Sequence, residues 1–353
     1  MSPMRIALIG AIAVVILIGL SSGVATPALT HAAYDTLPVE QRPRYWAERI
    51  AAIGGPVAYR EFVAMVEPYP TPLRHMNAHF FGVALYETEG PSGITVCDGR
   101  FVYGCFHAFA IRAVELGGMD AAREIYSRCG DVLGKTAEQC EHGVGHGILG
   151  TIGYGAQDLD EALRVCDALG QDHDAVEGCA GGVFMEYGIR GMLGLGTDVV
   201  RPFAPESALE PCQSLSDRRY LSTCAYWIPM WWTEVAPHRD EPTRLAGTMG
   251  AWCTTIAAGD RAVLEDCIAG IGNRMQLLTR EDPTKTSEIC AHVSSDPALV
   301  FICHRTSAAR FTTYYPLDFS LRACEGLTAS TKALCEARAS AASAARLSDR
   351  PRD

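Results

Sequence analysis

Residues 129–147 read CGDVLGKTAEQCEHGVGHG, and the fold follows from this stretch. Gly134-Lys135 is a turn former lying between Cys129 and Cys140. Thr136 followed three residues later by Gln139 has the spacing of a helix-opening capping box. Cys140 therefore sits in the first turns of a new helix, and Cys129 sits a similar distance before the turn. Two antiparallel helices side by side bring such positions within the ~5.5–6 Å Cα separation that a disulfide prefers. The stretch predicts an αα-hairpin stapled near its tip.

Working outward, the same pattern recurs along the chain. The fourteen cysteines taken as consecutive pairs are separated by 8, 11, 13, 12, 14, 13 and 11 residues. The gaps between pairs are 24, 26, 33, 29, 23 and 21, so short and long intervals alternate without exception. An even cysteine count in an exported chain implies disulfides, and no C-x-x-C motif occurs to favour a metal or haem role. The expected bridges are Cys97–Cys105, Cys129–Cys140, Cys166–Cys179, Cys212–Cys224, Cys253–Cys267, Cys290–Cys303 and Cys324–Cys335. Closing a loop of ~12 residues stabilises by about 3 kcal/mol, though seven such contributions do not simply add. Turn formers recur inside the pairs at Gly170-Gln171-Asp172, Ser216-Asp217, Gly259-Asp260 and Ser295-Asp296-Pro297. Asp174 with Glu177 repeats the capping-box spacing, and Asp296 before Pro297 puts proline at a first helical position. Second helices are expected over about residues 136–153 and 174–191, with little or no β-sheet anywhere.

The second cysteines advance by 35, 39, 45, 43, 36 and 32 residues, a period that marks helical-hairpin arrays. The fold class read from this is all-α, a solenoid of about eight antiparallel hairpins, seven with an internal disulfide. On the paired cysteines and segments such as Ala122-x-x-x-Tyr126-x-x-Cys129, the chain resembles tetratricopeptide-like arrays, especially the disulfide-stapled helical-repeat proteins secreted by bacteria. The resemblance spans Cys97–Cys335 and is architectural, since the tighter consensus of regular glycines and alanines is absent. It implies a fold and a binding habit, not a reaction. A cysteine-free unit over 33–96 precedes the seven stapled units of 97–339, completing a repeat domain over 33–339. In it, Pro56–Glu67 and Pro72–Glu87 read as two helices around Pro68–Pro70. Arg201–Pro211, with three prolines, reads as a loop, and 340–353 as a flexible tail.

The first residues carry an address. One positive charge at Arg5 precedes the apolar run Ile6–Leu20, followed by small and turn-forming residues ending Thr30-His31-Ala32. Residues 1–32 are read as a signal peptide cut after Ala32. Counting Ser21–Ala25, the run reaches about 20 residues, so a signal anchor left in the membrane is the alternative. The expected location is extracytoplasmic, periplasmic or secreted, with no membrane span after signal cleavage. Removing Arg5 takes the formal charge from −11 to −12, a poor match to phosphate backbones, so nucleic acid is excluded as a partner.

Helical geometry then sorts the second helices into faces. Positions two and six after each second cysteine lie on one stripe, opposite the partner helix. Position two runs His75, His107, His142, Gly181, Tyr226, Ala269, Arg305, and position six runs His79, Ile111, His146, Met185, Met230, Asn273, Ala309. Five histidines crowd the first three units. Imidazole suits zinc, copper or iron, and thioether from Met185 or Met230 would favour copper(I). Because adjacent helices pack 8–10 Å apart, units one apart can share a metal. One ligand set is His107, His142 and His146; the rival is His75, His79 and His107, with Asn77 as an orienting neighbour. Some helical-repeat hydroxylases bind two irons through His-Glu pairs, but this chain has no His-Glu dipeptide. Tyr226-Trp227-Ile228-Pro229-Met230-Trp231-Trp232 is either a core anchor around a kink or a groove wall. Glu186, Arg274 and Arg310, at position seven, point toward intramolecular ion pairs, with Glu186 also placed to act as a base. Gly143, Gly145, Gly147 and Gly150 are too many for ordinary packing, and leave a ligand-hugging helix and a non-helical loop both open. No nucleophile-elbow triad, phosphate loop or dinucleotide fingerprint occurs, so whether the chain is an enzyme stays open. A transition-metal protein and a scaffold that takes a protein or peptide partner in its groove are the two functional readings.

Overall fold

The structure is a computed structural model and describes residues 28–134, 137–170, 176–189 and 201–348. The described residues are helical, with turns and no β-strand. The N-terminal unit holds more helix than its two predicted segments. α1 (His31–Asp35) and α2 (Arg42–Ile53) precede α3 (Gly55–Val66) and α4 (Thr71–Glu89). Trp46, Phe62 and Phe81 from α2, α3 and α4 meet in edge and tilted contacts with centroids 4.9–5.6 Å apart and are fully buried.

The stapled part follows. α5 (Gly104–Leu133) is two helices in one, broken at Gly118, whose φ of 62° is a left-handed conformation that glycine adopts without a Cβ penalty. Then come α6 (Glu138–Ile152), α7 (Ala156–Ala168), α8 (Gly178–Gly188), α9 (Leu221–Val235), α10 (Pro242–Ala257) and α11 (Arg261–Asn273). α12 (Met275–Leu278), α13 (Thr286–Cys290), α14 (Pro297–Phe311), α15 (Leu317–Ser320) and α16 (Ala329–Ser348) complete the chain. Asp296 caps α14 by accepting from a backbone N–H, as its position predicts, and Asp260, read as a turn former, caps α11 in the same way. Thr136 and Asp174, expected as caps of α6 and α8, lie outside the described residues.

All seven cysteine pairs join in sequence order, with Cα separations of 5.5–5.9 Å. The first arms are less regular than a row of equal hairpins. Cys97, Cys212 and Cys324 sit in or beside 3-10 segments and turns, and α13 has five residues. Pro91, Pro211, Pro283 and Pro316 lie in these arms and withhold backbone donors, which keeps long helices from forming. The second arms are the constant feature: α4, α5, α6, α8, α9, α11, α14 and α16 each pack against the next. The row bends enough that Thr71 Oγ1, at the start of α4, donates to the Tyr314 carbonyl just beyond α14.

Both ends of the described chain are helical. Ala32 lies inside α1: Thr30 Oγ1 accepts from Ala33 N–H, and Leu29 N–H donates to the Tyr45 hydroxyl. A cut after Ala32 would fall between the second and third of the five residues of α1. At the other end α16 runs to Ser348, so residues 340–348 are helical, consistent with the helix propensity of their alanines. Residues 1–27, which hold the apolar leader, and 349–353 lie outside the described residues. No helix among the described residues is long and apolar enough to cross a membrane. Seven disulfides belong to an oxidising, extracytoplasmic compartment.

Candidate metal centre

The site begins with glycine. A Cβ on Gly82 of α4 would lie 2.4 Å from the Cys105 carbonyl oxygen of α5, and one on Gly143 of α6 would lie 2.9 Å from His107 Cα. Gly145 and Gly182 interlock α6 with α8, each added Cβ falling 1.9 Å from the facing carbonyl oxygen. These glycines bring successive second arms into backbone contact, and α6 is helical through the whole glycine run. The loop alternative for that run falls. Its glycines answer to helix–helix approach, except Gly150, which has only the Tyr154 hydroxyl at 3.8 Å.

Close approach gathers the histidine stripe into one cluster. His75 and His79, a turn apart on α4, have ring centroids 4.5 Å apart, and His107 on α5 lies 5.8 and 6.3 Å from them. His142 and His146 on α6 are 4.9 Å apart and lie 5.4 and 6.2 Å from His107. His107 is the shared neighbour of both pairs. One nitrogen from each of His75, His79 and His107 falls within 4.8 Å of the other two. Of the two ligand sets the sequence offers, this is the one whose donor atoms converge. Ideal tetrahedral zinc with bonds of ~2.05 Å needs nitrogens ~3.3 Å apart, so small ring rotations would close the set.

The tautomers are set by partners around the cluster. His75 Nδ1–H donates to the Phe101 carbonyl at 2.7 Å, which leaves Nε2 as the lone-pair nitrogen. That carbonyl is aimed by three consecutive left-handed residues, Phe101, Val102 and Tyr103, inside the Cys97–Cys105 loop. A β-branched residue at positive φ is strained by about 1–3 kcal/mol, and such strain concentrates at functional sites. His146 Nδ1–H donates to Glu186 Oε2 at 3.0 Å, and Glu186 Oε1 accepts from the Tyr154 hydroxyl at 2.6 Å. Buried His107 Nε2 and His146 Nε2 have no hydrogen-bond partner. Burial lowers His75 to about 4, opposed by the Phe101 carbonyl and assisted by the Arg310 charge. Burial also holds His107 and His142 well below the ordinary histidine value, with neighbouring histidines adding to it. These three rings are therefore neutral near pH 7, the form that binds metal.

The remaining predicted residues divide. Met185 Sδ lies 3.4 Å from His142 Nε2, so one thioether joins the cluster. Met230 instead lines a small cavity with Met185, Arg201, Trp227 and Trp231. Asn77 does not orient the histidines: its side chain accepts from Tyr34 and Arg42 and donates to the Leu73 carbonyl. Trp227, Trp231 and Trp232 each donate an indole N–H to a backbone carbonyl, at Val176, Arg201 and Ala208, which makes them anchors. Trp227 also stands 4.9 Å from the His142 ring and closes that side of the cluster. Tyr226 packs on Trp227, with burial raising its phenol above the usual range. Arg274 pairs with Glu234 at 3.4 Å, as its position suggested. Compared with protein-family models, curated proteins and solved structures, the chain matches none. Function is read from the site alone. Tyr154 and the Phe101 carbonyl were not foreseeable: one lies in a turn after α6, and the other belongs to a backbone conformation that no motif announces.

Proposed function

We propose that this is an extracytoplasmic transition-metal protein whose second arms form a curved, tetratricopeptide-like solenoid. Its inner wall would carry a three-histidine centre at His75, His79 and His107. The convergence of three imidazole nitrogens within 4.8 Å, drawn from two adjacent helices, carries the reading. Three imidazole ligands leave coordination positions open, the arrangement of a reactive or exchangeable metal and not of a closed structural one. Imidazole alone suits zinc, copper or iron; Met185 on the adjoining His142 tilts the choice toward copper. His142, His146 and Glu186 form the next layer. His107 links the two layers, and Glu186 is the group there able to accept a proton. The test is metal content of the untagged protein, measured by mass spectrometry after dialysis against copper or zinc. Wild type should retain about one equivalent, and His79→Ala or His107→Ala should lose it while staying folded. Retention by both variants, or no retention by wild type, would leave the histidines a structural ladder.

A further inference from the structure

Across the seam where the row of helices closes, Thr71 and Tyr314 touch, and His75 and Arg310 each lie one helical turn from that contact. The Arg310 charge reaches His75 on α4, Arg274 just after α11, Tyr226 on α9 and Glu177 at the start of α8. Its charge is thus felt on four separate segments. His75, Tyr226, Glu177 and Arg310 itself are half-buried. Among the described residues Arg310 has no carboxylate partner. Nη2 donates to the Tyr314 hydroxyl at 2.6 Å, while buried Nε and the neighbouring Thr313 Oγ1 have no partner. Arg274 next to it is 6% exposed, with Glu234 only at 3.4 Å. Arg310 is half-buried and Arg274 fully so; guanidinium withdrawn from water without a close counter-charge is costly, and forked donors match an oxyanion.

We propose that Arg310, supported by Arg274, is the anion-recognition element of the interior, and that it seats the carboxylate or phosphate group of a small ligand beside His75. Resting on the metal reading, it names the ligand class of that centre: an oxyanion whose acidic group is held by guanidinium while its other end faces the three histidines. The overall charge of −11 leaves this cationic corner the exception, which favours small anions that can enter over acidic macromolecules.

The experiment uses the full folded protein in EDTA, so the outcome does not depend on metal. Inorganic phosphate and succinate are titrated separately by calorimetry and thermal shift, against sodium chloride at equal ionic strength. Wild type should show saturable binding and a rise in Tm with at least one of them, and the stronger of the two names the source. Arg310→Gln should weaken binding about tenfold or more, since a hydrogen bond to a charged group contributes about 1.5–3 kcal/mol. Arg310→Lys should fall between, and exposed Arg305→Gln should bind like wild type. If neither anion binds wild type beyond the chloride control, the proposal is overturned, even where the Arg310 variants fail to fold. Equal binding by wild type and folded Arg310→Gln overturns it as well.

Discussion

Gly82→Ala puts the close-approach argument to its sharpest trial. Alanine is intrinsically better than glycine inside a helix by about 1 kcal/mol, so propensity alone predicts stabilisation. In α4, however, the new methyl would sit 2.4 Å from the Cys105 carbonyl oxygen and 3.0 Å from Phe109 N, against 3.4 Å for ordinary contact. The facing atoms are backbone, which cannot rotate away, so α4 and α5 must part by about 1 Å (3.4 minus 2.4). Overpacking of this kind costs about 1–3 kcal/mol, and set against the propensity gain it leaves a net loss of up to about 2 kcal/mol. The same displacement widens the His75–His79–His107 set, whose nitrogens already need to draw together. Gly150→Ala is the control, because its methyl would meet only the Tyr154 hydroxyl at 3.8 Å. Urea denaturation with metal titration decides: Gly150→Ala should be stabilised by up to about 1 kcal/mol with metal affinity unchanged. Gly82→Ala should be destabilised and bind metal at least tenfold more weakly. Stabilisation of both variants would refute the claim that glycine sets the helix spacing.

Non-reducing peptide mapping should recover the seven sequence-order bridges, and reduction should lower the urea midpoint strongly, each ~12-residue loop contributing about 3 kcal/mol at most. Two or more crossing bridges would contradict the stapled units. The metal-free protein should lose stability as pH falls from the ordinary histidine value of 6.5 toward about 4, seen as a falling Tm. His75, His107 and His142 are held neutral in the fold and protonate more readily when unfolded, so acid favours unfolding. A flat Tm over that window would count against their burial. Glu177 acts in the opposite sense: burial, with Glu138 nearby, raises it to about 7, so its contribution is fully present below 4.5 and lost as pH rises through 7. Glu177→Gln should abolish that part of the pH dependence, and an unchanged pH–Tm curve would show that the carboxyl is not protonated in the fold.

Much of the architecture was legible because disulfide spacing is a geometric constraint written in one dimension. Cys129, Gly134 and Cys140 are enough to define a turn between two staple points, and the alternation repeats that definition seven times. The irregular first arms were less legible, since Cys212 and Cys324 keep the spacing while prolines and turns replace the helix around them. The histidine stripe emerged from counting positions after each cysteine, because every second arm meets its neighbour in nearly the same register. Which three histidines converge was not legible: that depends on a sub-turn rotation of α4 against α5, set by Gly82 and by the left-handed turn at Phe101–Tyr103. Arg310 read as an ion-pair residue because its sequence position cannot reveal that the turn after α14 meets the start of α4. Contacts 243 residues apart, such as Thr71 with Tyr314, follow from the accumulated curvature of the whole row.

Anomalous diffraction at the metal edge, from crystals of untagged protein soaked in zinc or copper, tests the central claim most directly. The account predicts one dominant peak about 2.1 Å from a nitrogen of each of His75, His79 and His107, with His75 bound through Nε2. A dominant peak elsewhere, for instance at exposed His238 and Glu241, with none among those three rings, would contradict it.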